Sequence, residues 1–392
     1  MPTPTHIITH SRTTSTLNIT SNGIYSVLGY ASAIISVIPQ LTIQPLSVSE
    51  NGTYSASSGY GFDPVIADVP TYTIDDFAER TKILTILTAS GSSASCIGDY
   101  AFGYGLIREA AFPNCETIGS GAFFRCSYLT TVSFPNCITV GNYAFTSCFS
   151  LKTISFPSCT SVGTSAFYNC SALSEISFPV CETIGSGAFA HCYSLTEAPF
   201  SSCTTVGYGA FSGCSSLTAA SFPQCTTIGS SAFYNCRNLT TISFPVCTTI
   251  GSVAFSGCSS LTEASFPVCT SIGMYAFQAC TSLTSISFPS CTTIEMYAFY
   301  SCSSLTTVSF PQCTSIGGSA FYKCFNLISL YLLGSSRAVL ASAASLIFTS
   351  TPIYGYSTSA GRWGSVYVPS SLYSEYIGNA HWKVISSRIV SM

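Results

Sequence analysis

Cysteine recurs along this chain at a fixed interval, and that interval decides what the chain can fold into. The Cys closing a Phe-Pro-x-Cys run stands at 115, 137, 159, 181, 203, 225, 247, 269, 291 and 313, a step of 22 residues each time. A second series at 126, 148, 170, 192, 214, 236, 258, 280, 302 and 324 follows each of these by eleven residues. One unit reads Leu239-Thr-Thr-Ile-Ser-Phe-Pro-Val-Cys-Thr-Thr-Ile-Gly-Ser-Val-Ala-Phe-Ser-Gly-Cys258, and the next begins at Leu261. Ten units in unbroken register predict a solenoid. A single unit cannot bury its own apolar groups, and a stack of them can.

The order of residues within a unit says what each rung looks like. Leu239, Ile242 and Phe244 are apolar while Thr241 and Ser243 flank Ile242, the alternation of a short half-buried strand rich in β-branched residues. Pro245 ends it, because proline has no N–H to offer a continuing ladder. Ile250-Gly251 reads as a second short extended segment with a turn, and Ala254, Phe255 and Cys258 face inward from a tight return. The expected fold class is a β-rich solenoid with short parallel strands.

The motif Leu-x-x-Ile-x-Phe-Pro-x-Cys-x-x-Ile-Gly-x-x-Ala-Phe-x-x-Cys resembles the BspA-type (Treponema pallidum-type) leucine-rich repeat. The likeness runs unit by unit from Ala122-Phe123 and Cys126 to Ala320-Phe321 and Cys324, with a degenerate first unit at Ile97-Gly98 and Ala101-Phe102. Ser201 stands for the proline of one unit, Glu295 for the glycine of another, and Cys fills a site often aliphatic in the family. The resemblance implies a right-handed leucine-rich-repeat stack over residues 96–333, a scaffold for surface adhesion and protein recognition. It implies no chemistry.

Residues 1–72 carry a weaker repeat with an offset of 29, in which Leu17, Asn22-Gly23 and Tyr25-Ser26 answer to Leu46, Asn51-Gly52 and Tyr54-Ser55. Asn-Gly between β-rich runs signals a hairpin, so two small all-β modules are expected, closing at Pro39 and Pro70. This Asn-Gly-x-Tyr pattern is similar to modules of tail-associated proteins from gut bacteriophages and prophages, which implies attachment to a larger particle. Residues 73–95 read as a linker and N-terminal cap helix, with Asp75 and Asp76 at its start and Arg80 and Lys82 near its end. Residues 334–392 read as a C-terminal cap: a strand at Val366–Val368 stopped by Pro369, then a helix from Leu372 to about Trp382 capped by Ser370 or Ser371. Tyr373, Tyr376 and Trp382 are expected over the last rung.

The first residues show no basic n-region, apolar stretch or cleavage site. Synthesis in the cytoplasm is expected, with the product virion-associated or released at the cell surface. The uncharged run Ile24–Leu41 is interrupted by Gly29 and Pro39, so no membrane span is expected. Only 7% of residues are charged, 12 Lys+Arg against 15 Asp+Glu, which removes the basic surface that a nucleic-acid partner requires.

The two Cys series form separate ladders, not the close Cys pairs that hold a metal, and a free Cys beside Phe and Ile behaves as a small hydrophobe. Reduced core thiols are expected; vertical disulfides between neighbouring rungs and metal binding are the alternatives. No cofactor, metal site or catalytic residue is expected, since His6, His10, His191 and His381 recur in no shared role. Glu175 and Glu197 hold the same strand position in neighbouring units, a spacing open to acid/base work, so a glutamate-dependent hydrolase is the last alternative.

Residues flanking the central aliphatic of each strand point away from the core. They give a candidate binding face of Thr131, Ser133, Thr153, Ser155, Glu175, Ser177, Glu197, Thr241, Ser243, Glu263, Ser265, Ser285, Ser287, Thr307 and Ser309. The residue after Ala-Phe gives a second, aromatic edge: Phe124, Tyr168, Tyr234, Tyr300 and Tyr322. Tyr supplies contact area at low entropic cost. The expected function is non-catalytic recognition, adhesion or receptor binding, with a protein or glycan on a cell surface as partner. A structural spacer and an ice- or glycan-surface binder are the alternatives.

Overall fold

The computed structural model describes residues 94–105, 107–355 and 363–392, together with six short strands of the preceding stretch. By its internal contacts the chain falls into two units, residues 1–181 with 191–194 and residues 182–190 with 195–392. Each is a parallel β-solenoid with the 22-residue rung that the repeat predicts.

In the rung that begins at Leu239, Thr241–Ser243 forms a front strand and Thr249–Ile250 a back strand. Strands pair in parallel with their counterparts one repeat on, as in Ile250↔Ile272 at the back and Ile286↔Val308 at the front. The third side of the rung is made of turns, and it is knitted as well. Val253, Phe255 and Gly257 donate N–H to the carbonyls of Met274, Ala276 and Gln278 at 2.8, 2.7 and 2.8 Å.

Two columns of Phe fill the interior. Phe211, Phe233, Phe255 and Phe277 stack face to face at 5.2–5.3 Å, and Phe222 and Phe244 form part of the second column at 5.2 Å. The columns meet edge to face, with Phe233 5.9 and 5.8 Å from Phe222 and Phe244. All these rings are buried.

The Cys ladders lie beside them, and none of the 21 thiols is joined in a disulfide. Expected only as small hydrophobes, they also make hydrogen bonds. Cys236, Cys258 and Cys280 donate Sγ–H to the carbonyls of Phe211, Phe233 and Phe255 in the preceding rung at 3.1–3.2 Å. The other series bonds within its own rung, as Cys247 does to the Thr249 carbonyl. Burial pushes the thiols up, Cys225 and Cys269 to about 11 and Cys247 and Cys302 to about 12, because a thiolate there has no water to solvate it.

Two residues per rung adopt left-handed backbone: the one before Ala-Phe and the one four positions later. Gly121, Gly187 and Gly209 fill the first slot at φ of 58–63°, where glycine carries no strain. Val253 fills it at φ 63°, and its half-buried, β-branched side chain opposes that conformation by about 1–2 kcal/mol. Val253→Gly is therefore expected to stabilise the protein by about 1 kcal/mol, after the entropy gained by the unfolded chain is discounted. Denaturant midpoints check this; a lower midpoint would mean that the valine's packing outweighs its strain.

The Gly of Ile-Gly serves close approach between rungs, since a Cβ on Gly251 would lie 2.5 Å from the Ser230 backbone nitrogen. Glu295 breaks that rule, and the bonds beside it lengthen. Tyr275 N–H to Met296 and Tyr297 N–H to Gly318 are both 3.1 Å, against 2.8 Å for Val253 to Met274.

In the N-terminal stretch, the described strands pair in parallel. Asn18↔Ser47 and Tyr25↔Tyr54 carry the 29-residue offset in their register. Asn18–Ile19 and Tyr25–Val27, on either side of Asn22-Gly23 in the sequence, pair in different sheets and not with each other, so these two strands do not form the expected hairpin. The turns themselves, Pro39, Pro70 and the helix read at Asp75–Lys82 lie outside the described residues.

At the other end the front ladder passes residue 333 through Ser365–Val368 to Ile389–Ser391. The helix is shorter than expected, Tyr373–Gly378, and neither Ser370 nor Ser371 caps it; the Ser370 hydroxyl donates to the Met392 carbonyl instead. Trp382 and Tyr376 are nonetheless buried. Trp382 Nε1–H donates to the Ala338 carbonyl at 2.9 Å, and Ala338 N–H donates to the Tyr376 hydroxyl at 2.9 Å.

Candidate functional site

Strand pleating puts every second front-strand side chain into solvent, and all fifteen candidate residues of that face are exposed. Parallel register then sets like beside like. In the first unit Thr153 neighbours Glu175 and Ser155 neighbours Ser177, while Thr131 and Ser133 pair back onto Glu109 and Ala111. In the second, Glu197 and Thr241 both pair with Ala219, and Ser221 pairs with Ser243. Glu263, Ser285 and Thr307 form one row there, and Ser265, Ser287 and Ser309 another.

Apart from Thr241, whose hydroxyl donates to the Thr218 carbonyl at 3.5 Å, these rows differ from the hydroxyls just outside them. Thr218, Thr240 and Thr284 donate to the carbonyls of Thr196, Thr218 and Thr262 at 3.0–3.1 Å, so they serve the ladder. Among the described residues, the hydroxyls of Ser265, Ser285 and Ser287 make no such bond and face water with both donor and acceptor capacity. From Glu197 to Ser309 the outward front-strand positions hold carboxylates and no cation.

The aromatic edge is split into clusters. Phe124 meets Tyr100 and Tyr104 edge on, with the Arg125 guanidinium 5.6 Å from its ring. Tyr168 lies 5.3 Å from His191, whose Nδ1 is 3.2 Å from the Tyr193 hydroxyl. Tyr300 and Tyr322 stack at 5.4 Å with the Lys323 ammonium against both rings. Tyr234 is exposed. The sequence reading missed Tyr275 and Tyr297, stacked at 4.7 Å, of which Tyr297 touches Tyr300. Their signal was the residue before Ala-Phe, the same left-handed slot that Val253 occupies.

Among the described residues no three His, Cys, Asp or Glu side chains converge as metal ligands, and no helix is long and apolar enough to cross a membrane.

The model of the BspA type leucine rich repeat region matches residues 95–218 and 226–344, in six copies. A leucine-rich repeat protein of Bacteroides ovatus is 22% identical over 92% of this chain and 94% of its own, with a TM-score of 0.58. A leucine-rich repeat protein of T. pallidum is 25% identical over 48% and 82%, with a TM-score of 0.35. A leucine-rich cell surface protein of Faecalibacterium prausnitzii is 23% identical over 62% and 84%, with a TM-score of 0.30. The B. ovatus likeness shows a shared fold. No curated protein matches the sequence.

Proposed function

The chain belongs to the BspA-type leucine-rich repeat family, and we propose that it is a non-catalytic recognition scaffold that binds a protein or glycan on a cell surface through its front face. Leucine-rich-repeat solenoids are typically binding or adhesion scaffolds. One observation carries the reading: rows of exposed Ser, Thr and Glu in strict register, whose serine hydroxyls are not spent on the protein's own ladder. Regular spacing presents the same chemistry many times, which favours repeated weak contacts with a repetitive surface. Residues 1–72, on their Asn-Gly-x-Tyr modules, would join the scaffold to a larger particle such as a phage or prophage tail. The protein would then be made in the cytoplasm and act on a virion or after release.

Labelled full-length protein should bind intact bacteria or mucin-coated epithelial surfaces saturably. A Thr153→Lys, Thr241→Lys, Thr307→Lys variant should lose about tenfold or more in affinity, since three bulky cations on the face block close approach. Binding that survives these changes would move the contact to the aromatic edge or to residues 1–72. Absence of binding to every surface would favour a spacer that only holds its ends apart.

A further inference from the structure

The front ladder of the second unit opens at one rung. Strands Thr241–Ser243 and Glu263–Ser265 lie in different sheets. On either side the ladder is closed, by Thr240 N–H to the Thr218 carbonyl at 3.0 Å and Thr284 N–H to the Thr262 carbonyl at 2.9 Å. No counterpart runs from Thr262 to Thr240 among the described residues. The rings beneath follow the splay, with Phe244 and Phe266 6.2 Å apart, against 5.2 Å for Phe222–Phe244 and for Phe266–Phe288. At the back, Thr249–Ile250 and Ser271–Ile272 stay paired. The rung is therefore wedged open at the front alone, leaving extended backbone amides and carbonyls without their usual partners.

Side-chain size turns this opening into a groove. The central strand position is Ile in Ile242 and Ile286 but Ala in Ala264 between them. Ile242, at the edge of the opening, is half-exposed, while Ile286 is buried. A groove of about 450 Å³ results, floored by Ile242, Ala264 and Ile286 and flanked by Thr241, Glu263 and Ser285. That volume lies in the range of small-ligand sites. The first unit opens in the same way between Thr131–Ser133 and Thr153–Ser155, and Val132 at that edge is half-exposed like Ile242, but the residue at the position of Ala264 is there the larger Ile154.

We propose that this groove is a saccharide subsite of the recognition face, for a neutral sugar that presents adjacent hydroxyls beside an apolar C–H face. The proposal rests on the recognition reading above. Sugar hydroxyls donate and accept, and so match both the serine hydroxyls and the unpaired backbone groups. The Glu263 carboxylate accepts from two neighbouring hydroxyls at once. The aliphatic floor takes the C–H face. Glu263 is the only charged side chain among the lining residues, so a phosphate, sulfate or sialic-acid group would meet repulsion with no cation to offset it. An inserted peptide strand is disfavoured, because another strand needs about 4.8 Å of added width, whereas the rings beneath part only from 5.2 to 6.2 Å and the back ladder stays paired.

The test compares the full-length protein with Ala264→Ile and Glu263→Gln on immobilised neutral oligosaccharides and on sialylated forms of the same cores. The wild type should bind neutral glycans in preference. Each substitution should weaken that binding about tenfold or more. Ala264→Ile restores the residue at the equivalent positions 154, 176, 242 and 286, so it should raise the melting temperature while it removes binding, which separates a filled site from a damaged fold. Neutral glycans left unbound, or bound equally by Ala264→Ile, would overturn the subsite and leave surface recognition by the rest of the face standing. Cell binding lost in both variants yet resistant to glycan removal would identify a protein partner and overturn the saccharide class. A wild type that binds no cell or mucin surface would overturn the recognition reading itself.

Discussion

Raising the pH is expected to unfold this protein in one steep step between about pH 9 and 11. Burial lifts the folded-state thiols far above the free value of about 8.5: Cys115, Cys159, Cys225 and Cys269 to about 11, and Cys247, Cys302 and Cys313 to about 12. Cys236, Cys280 and Cys324 are pushed up as well, with burial again the main cause. Below the free value both states hold every thiol proton, and stability is complete. Above it the unfolded chain releases protons that the folded chain keeps, and stability falls until the pH passes the folded values. Each such thiol removes about 1.4 kcal/mol per pH unit. Ten of them acting together remove about 14 kcal/mol per unit, comparable to the whole stability of a domain. Far-UV circular dichroism across pH 7 to 11 reads the transition, and native-state alkylation at pH 8 should leave the buried thiols unmodified. A native spectrum at pH 11 would show that the ladders are open to water, contrary to their burial here.

The rung itself was legible because repetition amplifies a weak local signal. Leu239, Ile242 and Phe244 alone would suggest a strand in any fold; the same three positions recurring through ten units define a stack. The back strand, the inward Ala-Phe and the outward Ser and Thr rows followed from the same alternation. What could not be read was anything that depends on differences between rungs. In the sequence Ala264 is one small residue among several at its position, and only its place between Ile242 and Ile286, beside the open rung, makes it the floor of a groove. Tyr275 and Tyr297 were hidden because the slot before Ala-Phe is also held by Gly, Ser and Val, with no apolar period to mark it. The thiol hydrogen bonds were invisible for another reason. Spacing says that a Cys points inward, but not that the carbonyl of a Phe in the previous rung lies in reach. At the N-terminus the Asn-Gly signal was read locally as a hairpin, whereas the strands around it pair with partners a whole repeat away.

Phe233→Ala is expected to cost about 3–5 kcal/mol and to break the cooperativity of the second unit. Phe233 is fully buried, stacked between Phe211 and Phe255 at 5.3 and 5.2 Å and touched edge on by Phe222 and Phe244. Removing the ring leaves a cavity whose walls are four other rings held in register by paired backbone, so the site cannot collapse to refill it. In a solenoid each rung contacts only its neighbours, and a weakened rung therefore uncouples the segments on its two sides. The two tryptophans, Trp363 and Trp382, both lie in the C-terminal cap, where Trp382 packs against Tyr376 at 5.1 Å and Phe348 at 6.2 Å. Tryptophan fluorescence thus reports that end, while far-UV circular dichroism reports all rungs. In guanidinium the variant should lose part of its circular dichroism well before its fluorescence changes. Phe321→Ala should instead lower the fluorescence midpoint directly, because Phe321 stacks on Phe348 at 5.8 Å. A single coincident transition in Phe233→Ala, shifted by less than about 1 kcal/mol, would show that the aromatic columns only fill space that paired backbone has already secured.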